Sequence, residues 1–280
     1  MINKRILFLV LICFFTLIKS QTHRFIYEYK FVPDSTKIDS IITENTRLEI
    51  FKDHSEFVSD LTAIRDSLSA TRKNIDEEDG AFPIGNYKNI VYKSKELNYT
   101  LEFVGIQPFK VLQNEKLNWK LLKETKKLQG YHCQKAIINF GKRNWEAWFT
   151  QEIPLQEGPS IFGNLPGLII QMNDEKNQHS FSLIANYKTS NVKTNIIEKP
   201  YLLSATINRS QFNKKWNIYR NNPIGGTEQF MIINPGLLSG KSFDAHGNEM
   251  DMTQAKREEL NYAKKLIADV NNYLDLELYK

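Results

Sequence analysis

The chain has 280 residues, a formal net charge of +5 at pH 7 and two cysteines. Three of the bases (Lys4, Arg5, Lys19) and one cysteine (Cys13) fall in the first twenty residues, which hold no acid, so residues 21–280 carry about +2 and only Cys133. That remainder excludes an intramolecular disulfide and a zinc site built on several thiolates, and no clustered basic face argues for nucleic acid. Residues 1–20 read as a secretory signal: a basic start, an apolar run from Ile6 to Ile18 broken only by Thr16, and a polar end with cleavage expected after Ser20. The run is short for a membrane span of about 20 residues, though an uncleaved anchor is the alternative reading. Lipidation is disfavoured, because Ile12 stands where a small residue should precede Cys13. No later stretch reaches transmembrane length, and roughly 260 residues suit one β-rich domain over 21–280.

In chain order, the first strand is the clearest. Phe25, Tyr27, Tyr29 and Phe31 alternate with Ile26, Glu28 and Lys30, which puts four aromatics on one face. A weaker strand is expected near 46–51. Phe57, Leu61, Ile64 and Leu68, spaced 4, 3 and 4, predict an amphipathic helix over 55–73, which runs into the acidic loop 76–80. Strands are expected near 88–94, at Tyr99-Leu101-Phe103, and near 118–125. Residues 131–140 and 144–151 form a predicted hairpin about Gly141–Asn144, and 167–173 and 178–188 a second one about Asp174–Asn177. In the latter, His179, Phe181, Leu183, Ala185 and Tyr187 share a face. Further strands are expected near 192–198 and 227–233. A helix is predicted over 209–220, carrying Phe212, Trp216 and Tyr219. Another opens near Thr253 as N-cap, with Leu260, Ala263, Ile267, Val270 and Leu274 as its stripe. Short turns between most strands imply antiparallel order.

The residues that could carry catalysis do not assemble into a known pattern. The five histidines form no HExxH pair or close i, i+4 pair. His132 and Cys133 are adjacent, but neighbours on a strand face opposite ways and cannot share a site without a bulge; Cys133 reads as a buried thiol. Gly158-Pro159-Ser160 begins like a nucleophile elbow but lacks the second glycine. The acidic run 76–79 reads as a solvated loop. No catalytic, cofactor-binding or metal-binding residue is assigned.

Residues 128–174 are the most distinctive stretch. They carry Cys133, then Trp145 and Trp148, then Pro154, Gly158 and Pro159, then Phe162-Gly163-Asn164-Leu165-Pro166-Gly167-Leu168-Ile169. This pattern resembles the GLPGLI family of secreted envelope proteins, with Asn164 in place of the family's usual glycine. Asparagine tolerates positive φ better than other non-glycine residues, so the turn is expected to survive. Pro166-Gly167 suits the centre of a type II turn, and the segment between the two hairpins reads as a rigid, proline-braced crossover: a structural corner, or a loop facing a ligand. Trp145, Ala147 and Phe149 are expected on the core side of their strand. Trp148 then lies on the other side, covered by a helix or open for stacking.

The expected fold is mainly β (α+β): a curved antiparallel sheet forming a half-open barrel, with about three helices covering the concave side or packing at its edge. It is similar to that of periplasmic lipoprotein carriers and of the bowl-shaped accessory domain of a secreted peptide-N-glycosidase, an analogy of fold alone. The resemblance implies export to the periplasm or beyond, in a Gram-negative envelope, and brings no assigned reaction. The leading expectation is a non-enzymatic module that binds a hydrophobic small molecule or an outer-membrane receptor or assembly. The alternative is a hydrolase of glycans or peptides with an unrecognised site. A structural module of a secretion or receptor assembly is the third option.

Overall fold

The computed structural model describes residues 21–71, 85–190, 203–233, 242–243, 247 and 249–280. The expected signal segment 1–20, the acidic run 76–79 and the strand expected at 192–198 lie outside the described residues.

The first half of the sheet is built from β1 (Gln21–Phe31), β2 (Ile42–Ile50), β3 (His54–Ser59), β4 (Ile90–Ser94), β5 (Asn98–Val104) and β6 (Gln107–Leu112). The second half holds β7 (Lys120–Leu128), β8 (Tyr131–Phe140), β9 (Arg143–Thr150), β10 (Leu168–Asp174), β11 (His179–Ser190) and the short β12 (Ala205–Ile207). These twelve strands make one curved, unclosed sheet in the order β12-β6-β5-β4-β3-β2-β1-β11-β10-β9-β8-β7. All neighbours are antiparallel except β12, which runs parallel to β6. The described helices are α1 (Asp60–Thr71), α2 (Arg209–Asn221), α3 (Gly225–Ile233) and α4 (Met252–Asp269); β13 (Ser242–Phe243) and β14 (Glu249–Met250) pair separately. Among the described residues no helix is long and apolar enough to cross a membrane.

β1 sits at the centre because its alternation gives it a fully apolar inner face. Phe25, Tyr27, Tyr29 and Phe31 are all buried, and Tyr29 stacks on Phe181 of β11 at 4.3 Å. The β8–β9 hairpin closes through two residues, Gly141 and Lys142, both at φ +60. That pair of left-handed residues is what a tight hairpin turn matched to strand twist requires. β6 carries too little periodicity to be visible in the sequence, and β12 is only three residues long.

Several elements differ from expectation, each for a local reason. The first helix begins at Asp60, not at 55, because residues 54–59 pair with both β2 and β4. Phe57 therefore belongs to a strand. Leu61 and Ile64 are 37% and 44% exposed, and the helix instead packs through Ala63 against Val58, Ile90, Tyr99 and Leu101. Since Phe57 joins the main core and Val58 this second cluster, α1 lies on the outer face of the sheet. Residues 227–233 are helical, not extended: Glu228 N–H donates to Ile224 C=O at 2.9 Å, continuing the turn begun at Asn222–Gly225. The last helix is capped by Asp251 two residues before Thr253, its carboxylate accepting the N–H groups of Thr253 and Gln254. It ends at Asp269, so Leu274 belongs to the segment beyond it.

The concave side is filled chiefly by the chain between β9 and β10. This crossover, 151–167, reaches from the second half of the sheet to the first. Lys93 Nζ donates to Phe162 C=O at 2.8 Å and pairs with Glu157 at 3.0 Å. Ser55 Oγ donates to Glu157 at 2.9 Å, and Tyr87 Oη donates to Ser160 Oγ at 2.9 Å. Phe162 is fully buried against Trp145, with ring centroids 4.8 Å apart. The corner at Pro166-Gly167 is not the expected type II turn. Gly167 N–H donates to Leu165 C=O at 2.7 Å, while Leu168 N–H crosses to Ile153 C=O. Gly167 has φ +152, and a Cβ there would stand 1.9 Å from Thr150 carbonyl oxygen.

Gly167→Ala should therefore lower the unfolding free energy by about 2–4 kcal/mol, backbone strain and overpacking adding together. Gly130→Ala, at φ +89 but with open space around its Cβ, should cost only about 1–2 kcal/mol. Urea titration of both variants checks this; equal costs would refute the close approach.

Candidate functional site

A cavity of about 380 Å³ lies between the concave face and a cover made of α2, the end of α4 and the C-terminal segment. Its walls are mainly aromatic and aliphatic, including Phe31, Phe103, Phe162, Trp216, Ile267 and Tyr273. Exposed Lys88 and half-exposed Leu266 also border it.

The cover is attached at a few polar points. Arg143, the first residue of β9, is 5% exposed. Its guanidinium donates to Asp174 at 2.9 Å, to Asn272 Oδ1 at 2.5 Å, and twice to Tyr273 C=O at 3.0 and 2.8 Å. Asn272 Nδ2 in turn donates to Val32 C=O at 2.7 Å, and Leu276 N–H donates to Gly141 C=O. Arg209 at the start of α2 pairs with Asp275 at 2.6 Å. Phe212, Trp216 and Leu278 then close an apolar cluster over Phe109 and Val111.

Two sets of polar groups face the cavity. On β1 and β11, Tyr29 Oη shares a 2.7 Å hydrogen bond with His179 Nδ1. Burial, aided by the charge of Arg143, pushes the His179 pKa down to about 3, so the ring is neutral. Nearby, the buried Glu44 carboxylate accepts the N–H groups of Asn86 and Tyr87 and the Ser59 hydroxyl, which holds the Tyr87 loop in place; burial raises its pKa. The second set lies about four strand spacings away on β5, a separation of ~19 Å along the sheet. There Glu102, 4% exposed, accepts from Asn89 Nδ2 and from Tyr279 Oη at 2.5 Å. Burial drives its pKa up to about 7 against the donors that would lower it. The Trp216 indole N–H, buried on the cavity wall, has no hydrogen-bond partner among the described residues.

A second groove, about 370 Å³, opens beside the crossover. His54 stacks between Phe51 and Tyr92, at 4.5 and 5.0 Å. Burial opposes charge on that ring, but Glu56 and Asp53 hold its pKa above the usual value. Among the described residues no cluster of three or more His, Cys, Asp or Glu side chains could hold a metal ion.

The motif residues are mostly internal. Cys133, Trp145, Leu165, Leu168 and Ile169 are buried in the main core, as is Phe162, which reaches the cavity wall. Gly158 and Pro159 are buried in the crossover, where a Cβ on Gly158 would strike Ile169. Gly163 lines the groove, and Pro154 and Pro166 are exposed. Asn164 adopts φ +63, the conformation expected of its residue type. Trp148 points to the side opposite Trp145 and is nonetheless buried as part of the main core cluster, with Lys126 4.0 Å above its ring and Lys135 5.6 Å away; among the described residues these lysines cover it. His132 is exposed while Cys133 is 1% exposed, so they face apart. Burial raises the Cys133 pKa, which keeps the thiol protonated. Nothing in the sequence marks Glu102, Trp216, Arg143 or the C-terminal segment as parts of a site.

The family model described as N-glycanase peptide, N-terminal domain, matches residues 35–205. The chain belongs to that family. Within this N-glycanase N-terminal-domain family, the matched region runs from the loop after β1 to the start of β12 and takes in the whole crossover. Two solved structures of PNGF-II, in different space groups, are similar to the chain at 15% and 16% identity, each with a TM-score of 0.48. They cover 70% of this chain, which spans about a third of theirs (33% and 32%). No curated protein matches the chain.

Arg143→Met should cost about 3–5 kcal/mol, because it leaves Asp174 buried and unpaired, and hydrogen exchange should show Asn272–Leu276 losing protection first. Uniform loss of protection would mean that Arg143 does not hold the cover. Glu102 sets a pH dependence of opposite sign to an ordinary acid. Folded, it keeps its proton up to about pH 7; unfolded, it loses it near 4.5. Its contribution is complete below about pH 4.5 and is lost as pH rises through 7. His179 works the other way, losing stability as pH falls below 6.5 toward 3. Thermal melts of Glu102→Gln should accordingly show a smaller decline between pH 4.5 and 7 than the parent; superimposable profiles would contradict the assignment.

Proposed function

We propose that the chain is an exported, non-catalytic binding domain whose concave cavity takes a hydrophobic small molecule. The observation that carries this reading is the cavity itself: about 380 Å³, walled by aromatic and aliphatic side chains, with a few buried polar groups facing in. Ligand sites have this size and composition. A guest burying ~300 Å² of apolar surface would gain ~7 kcal/mol before the cost of association. The signal-like start and the resemblance to GLPGLI envelope proteins support export, and an outer-membrane receptor or assembly is the partner that the resemblance suggests.

The family match favours a second reading, hydrolysis of glycans. Against it, Cys133 is buried away from any histidine partner. The two carboxylates lining the cavity are also already engaged, Glu102 by Asn89 and Tyr279 and Asp275 by Arg209. The binding reading predicts that an environment-sensitive apolar fluorophore saturates one site, and that Ile267→Trp, which fills the cavity, weakens it at least about tenfold with little change in melting temperature. Unsaturable or unaltered binding would overturn it. Release of glycans from a glycopeptide by the parent but not by Glu102→Gln would replace it with the second reading.

A further inference from the structure

We propose that the cavity is built for an uncharged apolar molecule bearing a hydroxyl, held between the Trp216 indole N–H and the Glu102 carboxyl. The inference rests on the cavity-binding reading above and names the chemistry of its ligand. Trp216 is 6% exposed and lines the cavity, and its Nε1 is a buried donor without an acceptor among the described residues. Buried donors are seldom left so, and each costs free energy until an acceptor arrives. Glu102 offers the complementary function. A carboxylate has about four lone-pair sites; Asn89, Tyr279 and Thr100 supply three donors, which leaves room for a fourth.

The two groups are neighbours through Tyr279. Its hydroxyl donates to Glu102 at 2.5 Å, and its ring meets the Trp216 ring edge-on at 5.0 Å. A hydroxyl both accepts and donates, so it is the group that matches one partner of each kind. A primary ammonium cannot accept from Trp216. A carboxylate can accept, but it brings a second negative charge beside Glu102. The basic residue lining the cavity that could offset this, Lys88, is exposed and directs its ammonium to Gly85 C=O at 3.1 Å.

The test is displacement of an apolar fluorophore at pH 8.5, where Glu102 is ionised, by decan-1-ol, decanoate and decylamine, three probes of one chain length. The alcohol should displace at about tenfold lower concentration than either charged probe, the worth of one hydrogen bond. Trp216→Phe should remove about that factor for the alcohol once each displacement is corrected for the variant's own fluorophore affinity. Glu102→Gln should narrow the gap between alcohol and decanoate by improving decanoate, an outcome that a merely loosened fold would not produce. Decanoate or decylamine binding as well as the alcohol, or a preference that survives both substitutions, would overturn the hydroxyl assignment while the cavity reading stands. A parent protein that takes up neither fluorophore nor any probe would overturn both.

Discussion

The buried Arg143–Asp174 pair holds three parts of the chain in register at once. Asp174 accepts from Arg143 with one oxygen and from His179 N–H with the other, fixing the turn into β11. Arg143 spends its remaining donors on Asn272 and Tyr273. The pair's net contribution to stability is small, because two charges have been taken out of water. Its consequence is geometric: those donors hold Asn272 and Tyr273 against the β8–β9 hairpin. The cavity therefore depends on a charge at the start of β9 that helps fix where the C-terminal segment lies.

The same logic shapes the inner side of the sheet. A curved, open sheet exposes a concave face that something must fill. Here the filler is mostly irregular chain, 151–167, rather than helix. Irregular chain carries backbone polar groups that need partners: Lys93 and Trp119 donate to the Phe162 and Gly163 carbonyls, while Ser55 and Tyr87 bond the side chains of Glu157 and Ser160. Lys93 is neutralised by Glu157 of the crossover itself. These bonds tie β3 and β4 to the β9–β10 connection and hold the two halves of the sheet at one curvature.

The strands with strong alternation and tight turns are readable because a half-buried strand leaves a period-2 trace whatever surrounds it. β1 and the two hairpins are of this kind. The misread segments are those where tertiary context outweighs local pattern. Residues 54–59 have helix-compatible spacing, yet they are buried on both faces, Phe57 inside and Val58 beneath α1, and so become a strand. Residues 227–233 are rich in β-formers but continue a helical turn begun at Asn222. The motif from Trp145 to Ile169 is legible as a unit with its crossover in the right place, but local pattern cannot show that the crossover spans the bowl. The site is less legible still. Glu102 looks like any outward residue of an alternating strand, and only the docking of Tyr279, 177 positions away, makes it buried, hard to ionise and adjacent to Trp216.

A cavity of this size carries its own constraint. An unfilled void costs ~24 cal/mol per Å³ in a well-packed core, so about 380 Å³ left dry and sealed would cost ~9 kcal/mol. That is comparable to the entire stability of an ordinary domain. The cavity escapes that cost because it is open where exposed Lys88 and half-exposed Leu266 border it. Its polar groups admit water at both ends, at Glu102 and at Tyr29–His179, while the aromatic walls between them give water nothing to bond. A guest that is apolar along its length and polar at an end removes that mismatch, and its binding energy adds directly to the stability of the closed form. On the proposed binding reading, the segment that closes the bowl and a molecule that fills it would stabilise one another, which would give the fold a reason to keep its last residues fastened by Arg143 instead of packing the space shut.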